Sequence, residues 1–224
     1  MKSLSYISSL ILVLVLQSCS DPKTTKQSTG GTNAMVKNAE NKNTILFFGD
    51  SLTAGYGLED PAQAFPSLIQ QKIDHLNLPY KVVNAGVSGE TTAGGKGRID
   101  WILKQKIDVF VLELGANDGL RGIPVEETSR NLQFITDKVK AKYPNARIIL
   151  TGMMVPPNMG ADYAKAFEQI FPKIATKNSM SFMPFLLEGV AGDRKLNQGD
   201  GIHPTAEGHK IIAENLWPIL VENL

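Results

Sequence analysis

The sequence predicts an α/β domain, a three-layer α/β/α sandwich with a central, mostly parallel sheet. Two patterns alternate along the 224-residue chain and carry that expectation. Short apolar or β-branched runs, of the kind buried in parallel sheets, recur at intervals. Between them apolar residues return at helical spacing. There is no internal repeat, and a βαβα series of this kind closes by covering both faces of one sheet with helices.

The first strand is expected at residues 44–49 (TILFFG). A helix follows, with its apolar stripe on Phe65, Leu68, Ile69, Ile73 and Leu76. The second strand is 80–84 (YKVVN), and the next stripe is Ile99, Ile102 and Leu103. The third strand, 108–114 (DVFVLEL), leads to a stripe of Val125, Leu132, Ile135 and Val139. After a fourth strand at 147–151 (RIILT) comes a helix with Tyr163, Phe167, Ile170 and Ile174, which Pro172 should interrupt and kink. Residues 181–183 can add a fifth strand, and a last helix starting at Thr205 carries Ile212 and Leu216.

The N-terminal residues do not belong to this pattern. Lys2 precedes an apolar stretch at 6–16 (YISSLILVLVL) that is too short to span a bilayer but fits a signal peptide covering residues 1–18. Leu16-Gln17-Ser18-Cys19 looks like a bacterial lipobox, with the chain's one cysteine at the position that would be lipidated. Gln17 departs mildly from the usual small or branched residue, and the alternative is an ordinary secretory signal with an incidental thiol. Residues 19–43 are then the lipidated cysteine and a tether, rich in Lys, Thr, Asn, Ser and Gly, with too little apolar surface to offset its ordering entropy. That leaves 44–224 as the folded domain, on a protein held at the membrane of the cell envelope and facing the periplasm or the outer membrane.

Composition excludes several function classes. With 23 Lys+Arg against 22 Asp+Glu and no long basic run, there is no electrostatic footprint for nucleic acid. A single cysteine rules out an internal disulfide or a Cys-rich zinc site, and His75, His203 and His209 can each be weighed individually.

In a parallel α/β sheet ligands bind beyond the carboxyl ends of the strands. Four polar blocks follow the strands or open the last helix: Gly49-Asp50-Ser51-Leu52, Gly86-Val87-Ser88-Gly89-Glu90, Gly115-Ala116-Asn117-Asp118 and Asp200-Gly201-Ile202-His203-Pro204. A serine hydroxyl is a weak nucleophile until a base takes its proton, and imidazole is the side chain that titrates near working pH. His203 is the best of the three histidines, because His75 borders an apolar stripe and His209 lies inside a helix. Asp200, three residues before His203, is close enough to reach the ring nitrogen facing away from the serine. An oxyanion needs donors already in place, and the Gly89 N–H, the Asn117 amide and the Ser51 N–H suit that task. The plainer alternative makes Gly86, Gly89 and Gly115 turn residues and Asn117 a cap.

These blocks, with FFGDSLTAGYG, VVNAGVSGETT, LELGANDGLRG and GDGIHP around them, resemble the SGNH (GDSL) hydrolases, in particular the small bacterial thioesterase, lysophospholipase and arylesterase subgroup. The resemblance spans residues 44–224 and implies a flavodoxin-like fold. It implies Ser51 as nucleophile, Asp200 and His203 as its triad partners, and Gly89 and Asn117 as oxyanion donors, without cofactor or metal. Ala116 stands where many relatives have a second glycine. The stretch 152–160 (GMMVPPNMG) matches the family's loop near the acyl site, which makes Met154, Val155, Pro156 and Pro157 candidate substrate contacts, although its methionines serve equally well as core filler.

Rival motifs are incomplete. Gly86-Val87-Ser88-Gly89-Glu90 is not G-x-S-x-G, and Gly95-Lys96-Gly97 completes neither a dinucleotide nor a Walker motif. Asp50, Asp118, Asp200 and His203 holding a divalent cation for phosphoester cleavage is one alternative, and a non-catalytic lipid- or glycan-binding lipoprotein is another. The sequence therefore predicts a hydrolase of carboxylic esters or thioesters, with acyl ester, thioester or lysophospholipid substrates. Deacetylation of glycans is the nearest variant.

Overall fold

The structure, a computed structural model, describes residues 42–224. The expected signal segment, Cys19 and all but the last two residues of the expected tether lie outside the described residues. Five strands, β1 (Asn43–Gly49), β2 (Tyr80–Gly86), β3 (Val109–Glu113), β4 (Arg147–Thr151) and β5 (Ser181–Met183), form one sheet in the order β2-β1-β3-β4-β5. Every pairing is parallel.

Five longer helices cover it: α2 (Phe65–His75), α3 (Thr92–Ile102), α5 (Val125–Lys142), α6 (Ala161–Asn178) and α7 (Ala206–Val221). Helices α2 and α7 pack together on one face, while α3, α5 and α6 pack side by side on the other. Side chains of a strand alternate between faces. Phe47 accordingly meets Phe65 of α2 edge-on at 5.5 Å, whereas Phe48 lies against Phe110 and beneath Arg98 of α3. Ile45, Leu46, Phe47 and Phe48 are fully buried, which is why β1 reads as an unbroken apolar run. Each such side chain contributes roughly 1.5–3 kcal/mol relative to exposure.

The differences from expectation have local causes. Strand β1 begins at Asn43, inside the expected tether, because the Asn43 N–H donates to Pro79 O at 2.9 Å beside the start of β2. Strand β2 runs on to Gly86 as a half-exposed edge. Strand β3 is shorter than expected, beginning at Val109; Asp108 just before it donates its N–H to Thr44 O at 2.9 Å and accepts the Thr44 N–H on its side chain at 2.8 Å. Pro172 does not interrupt its helix, which is continuous through it, with Phe167, Ile170, Phe171 and Ile174 buried on either side. Helix α7 likewise contains Pro218. Two short helices, α1 (Ser51–Ala54) and α4 (Ala116–Leu120), were not foreseen, because four or five residues are too few to display a helical period.

The chain order reverses between β1 and β3, the switch point of a 2-1-3-4-5 sheet, where a crevice opens beyond the strand ends. Helix α1 leaves β1 there and α4 leaves β3.

Candidate active site

Ser51 is the first residue of α1, and Asp50 caps that helix by accepting the Leu52 N–H at 3.0 Å. The tight turn depends on Gly49, since a Cβ there would fall on the Thr53 hydroxyl and the Glu113 carboxyl. Glu113, at the end of β3, braces the turn from beneath: its Oε2 accepts the Thr53 hydroxyl at 2.8 Å and the Asp50 N–H at 3.2 Å. Ser51 is 8% exposed, so its hydroxyl is held at the floor of the crevice rather than on a mobile tip.

His203 arrives from the loop before α7. Its Nε2 lies 3.0 Å from Ser51 Oγ, and its Nδ1 lies 2.6 Å from Asp200 Oδ2. Asp200 also accepts the N–H groups of Ile202 and His203 through Oδ1, at 2.9 and 3.0 Å. The hydrogen bond from the His203 ring, followed by these two backbone donors, holds the Asp200 carboxyl down at about 2. It is therefore ionised across the working range and fixes Nδ1 as the protonated nitrogen, leaving Nε2 to accept from serine. The Tyr56 ring lies against the imidazole, tilted by 47° with ring centroids 4.6 Å apart.

Asn117, on α4, donates through Nδ2 to Asp50 Oδ2 at 3.2 Å, which directs its amide towards Ser51's turn. Burial pushes the Asp50 carboxyl up to about 6, against the lowering effect of Leu52 and Asn117. Glu113 is raised well above the usual carboxylate range, again by burial and then by Asp50, so it is the protonated member of the pair. Gly89 sits in the turn after β2 with φ +78°, a conformation that favours glycine, and its N–H makes no hydrogen bond among the described residues.

The remaining histidines are placed elsewhere. His75 is exposed on α2, and His209 is buried with Nδ1 accepting the Phe65 N–H at 3.2 Å. Burial lowers the latter to about 4, so it is a neutral packing group. Asp118, a member of the alternative cation set, is taken up by the N–H and hydroxyl of Thr92 and by Thr128, and so ties α4 to α3 and α5. Among the described residues no three His, Cys, Asp or Glu side chains are grouped to hold a metal ion.

Beside Ser51 an apolar cleft of about 530 Å³ opens between the loops. Of the expected substrate contacts, Met154, Val155 and Pro156 line it, and Pro157 begins the 3₁₀ turn Pro157–Met159 that follows. Met153 both lines the cleft and belongs to the core, whereas Met154 is exposed on the cleft wall. Sequence reasoning missed Leu120, Phe185, Leu187 and Ile202 in the walls. Ile202 did leave a signal, being an exposed apolar residue between Asp200 and His203.

A carboxylate, an imidazole and a serine hydroxyl in one hydrogen-bonded line, at the switch point of a parallel sheet, define a serine hydrolase of the α/β/α class. The model of the GDSL-like Lipase/Acylhydrolase family matches residues 47–211, and the chain belongs to that family. It is 39% identical over 178 residues to the esterase TesA of Pseudomonas aeruginosa, covering 79% of this chain and 87% of that one. Over 172 residues it is 40% identical to the thioesterase 1/protease 1/lysophospholipase L1 of Escherichia coli K12, covering 76% and 80% respectively. The crystal structure of the psychrotrophic esterase EstA from a Pseudoalteromonas species, inhibited by monoethylphosphonate, superposes with a TM-score of 0.76 at 35% identity, over 81% of this chain and 98% of that one. The protein is a serine-type hydrolase of carboxylic esters and thioesters carrying acyl groups.

Proposed function

We propose that Ser51 attacks the acyl carbonyl, His203 takes its proton, and Asp200 stabilises the resulting imidazolium. The observation that carries this is the continuous path from Asp200 Oδ2 through His203 to Ser51 Oγ. The tetrahedral oxyanion is received by the N–H groups of Ser51 and Gly89 and the amide of Asn117. His203 then passes the proton to the leaving alcohol or thiol, and water repeats the cycle on the acyl-enzyme.

The acyl chain lies in the cleft walled by Met154, Val155, Pro156, Leu120 and Ile202, which favours medium or long acyl esters, thioesters and lysophospholipids over acetylated glycans. Each methylene that enters should stabilise the transition state by up to about 0.8 kcal/mol, roughly fourfold in kcat/KM. An ester series of graded length is the test. kcat/KM should climb from acetyl to a plateau, and a maximum at acetyl would remove the cleft from the acyl site.

Protonation should switch the site off from the acid side. His203 must be neutral to act as base, and the Asp50 carboxylate that accepts the Asn117 amide is neutralised as pH falls through about 6. Loss of the Asp50 charge should therefore lower kcat/KM as pH falls through about 6, and Asp50→Asn, which holds that residue neutral at every pH, should be impaired even well above 6. Asp200, protonated only near 2, adds nothing to this limb. Wild-type kcat/KM in Asp50→Asn at neutral pH would remove Asp50 from it.

The anchor is part of the same reading. Cleavage before Cys19, with lipid on its thiol, would hold a periplasm- or outer-membrane-facing enzyme at its lipid substrates, and the Lys/Thr/Asn-rich segment after it would act as tether. Among the described residues no helix is long and apolar enough to cross a membrane. Wild type should partition with membranes and Cys19→Ala should not be lipidated, with activity unchanged in detergent. Both forms in the soluble fraction would refute the anchor.

A further inference from the structure

We propose that Glu90 and Arg98 are positioning residues that fix the oxyanion donor Gly89 and neutralise the acidic ground beneath it. This rests on the reading that the Gly89 N–H receives the oxyanion.

The turn Val87-Ser88-Gly89-Glu90 is closed by the Glu90 N–H donating to Val87 O at 3.1 Å, and Val87 N–H anchors its first end to Gly49 O at 3.0 Å. Its second end is held by the Glu90 side chain, which folds inward to a carboxylate 7% exposed. Arg98, reaching down from α3, grips that carboxylate with both faces of its fork, Nε to Oε1 at 2.7 Å and Nη2 to Oε2 at 2.5 Å. The same Nη2 donates to Ala85 O at 2.9 Å, near the end of β2, and to Gly49 O at 3.4 Å, the last carbonyl of β1. The guanidinium lies over the Phe48 ring, 4.0 Å from its centroid. One planar group therefore joins the strand carrying the nucleophile turn, the strand carrying the Gly89 turn, and that turn's far end. A lysine has no fork with which to do so. Gly94 leaves room for the arrangement, since a Cβ there would press on Glu90 Cγ.

Charge adds a second consequence. Asp50 and Glu90 are near enough to repel one another. A further negative charge forms above them when Ser51 attacks. An unpaired buried carboxylate there would oppose the oxyanion, and the Arg98 cation removes that opposition at Glu90. The effect belongs to the transition state, because the neutral substrate carries no such charge.

The test compares Arg98→Met, Glu90→Gln and the double variant with wild type. Arg98→Met should lower kcat about 10- to 100-fold with KM nearly unchanged. Affinity for an alkylboronic acid, which adds to Ser51 as a tetrahedral anion, should fall by the same factor, while competitive inhibition by an uncharged fatty alcohol of the same chain length stays constant. Adding Glu90→Gln to Arg98→Met should recover part of the loss by removing the uncompensated carboxylate. A folded Arg98→Met with normal kcat and boronate affinity overturns the proposal, as does equal weakening of boronate, fatty alcohol and substrate. If Arg98→Met fails to fold, near-isosteric Glu90→Gln decides alone: it should show a smaller loss of the same pattern, and no change in either quantity overturns the pairing. The Gly89 amide order parameter from ¹⁵N relaxation reads the clamp without substrate. It should drop in Arg98→Met, or in Glu90→Gln where only that variant folds, and an unchanged value sinks the proposal even if wild type proves inactive on every ester tried, a result that would instead condemn the functional reading.

Discussion

Ser51→Ala should abolish ester and thioester hydrolysis, with a loss in kcat on the order of a million-fold, the scale seen when the nucleophile of a serine hydrolase is removed. The hydroxyl is the one atom between His203 Nε2 and the acyl carbon, and nothing else in the triad can take its place. Its deletion asks little of the fold. The cap of α1 is supplied by Asp50, not Ser51, and the turn is braced by Glu113 and Thr53, none of which touches the serine Oγ. Stability should therefore change by less than about 1 kcal/mol, within the ordinary range for a single hydroxyl. Two measurements check this together. A phosphonate ester should label wild type once, on the peptide containing Ser51, and leave Ser51→Ala unlabelled. Hydrolysis by purified Ser51→Ala within about tenfold of wild type, or label on another residue, would place the nucleophile elsewhere.

How far the site was legible follows from how its parts are encoded. Ser51, Gly89, Asn117, Asp200 and His203 each stand in a short contiguous block at a strand end or helix start, so the blocks were legible locally, and the family resemblance supplied their expected roles. The histidines also sorted correctly, because His209 lies at a helical apolar position and is buried as such. What escaped was assembled across the fold. The cleft walls come from separate loops, with Leu120 after β3, Met154 after β4, Phe185 after β5 and Ile202 before α7, and no local pattern marks their convergence. Glu113 reads as the polar interruption of a strand, and its burial beneath the nucleophile turn depends on the pairing of β1 with β3, where Gly49 faces it. Glu90 and Arg98 are eight residues apart, in a loop and a helix, a spacing that announces nothing. The helix carrying Tyr163, Phe167, Ile170 and Ile174 was legible, but not its continuity through Pro172, where the buried face of α6 outweighs one missing hydrogen bond.

Asn117→Ala separates chemistry from support more sharply than the sequence alone allowed. One N–H of the amide is committed to Asp50 Oδ2 at 3.2 Å, and its second is free to meet the oxyanion. Removing the side chain therefore has two effects. The first is loss of an oxyanion donor, which typically costs about 100- to 1,000-fold in kcat, or about 2.7–4 kcal/mol of transition-state stabilisation, with little change in KM because the ground-state carbonyl is less charged. The second is a fully buried Asp50 left short of one hydrogen bond, which costs roughly 1–3 kcal/mol of stability and pushes its carboxyl further above 6. A lowered thermal midpoint is thus expected on either view of Asn117 and decides nothing by itself. kcat decides, measured at a pH well above the Asp50 titration so that the altered carboxyl does not enter. A purely structural asparagine would leave kcat near normal in the folded fraction, and that result would remove Asn117 from the oxyanion site. A loss of about a hundredfold or more, with KM unchanged and boronate affinity falling in parallel, fits only a donor that meets the negative oxygen.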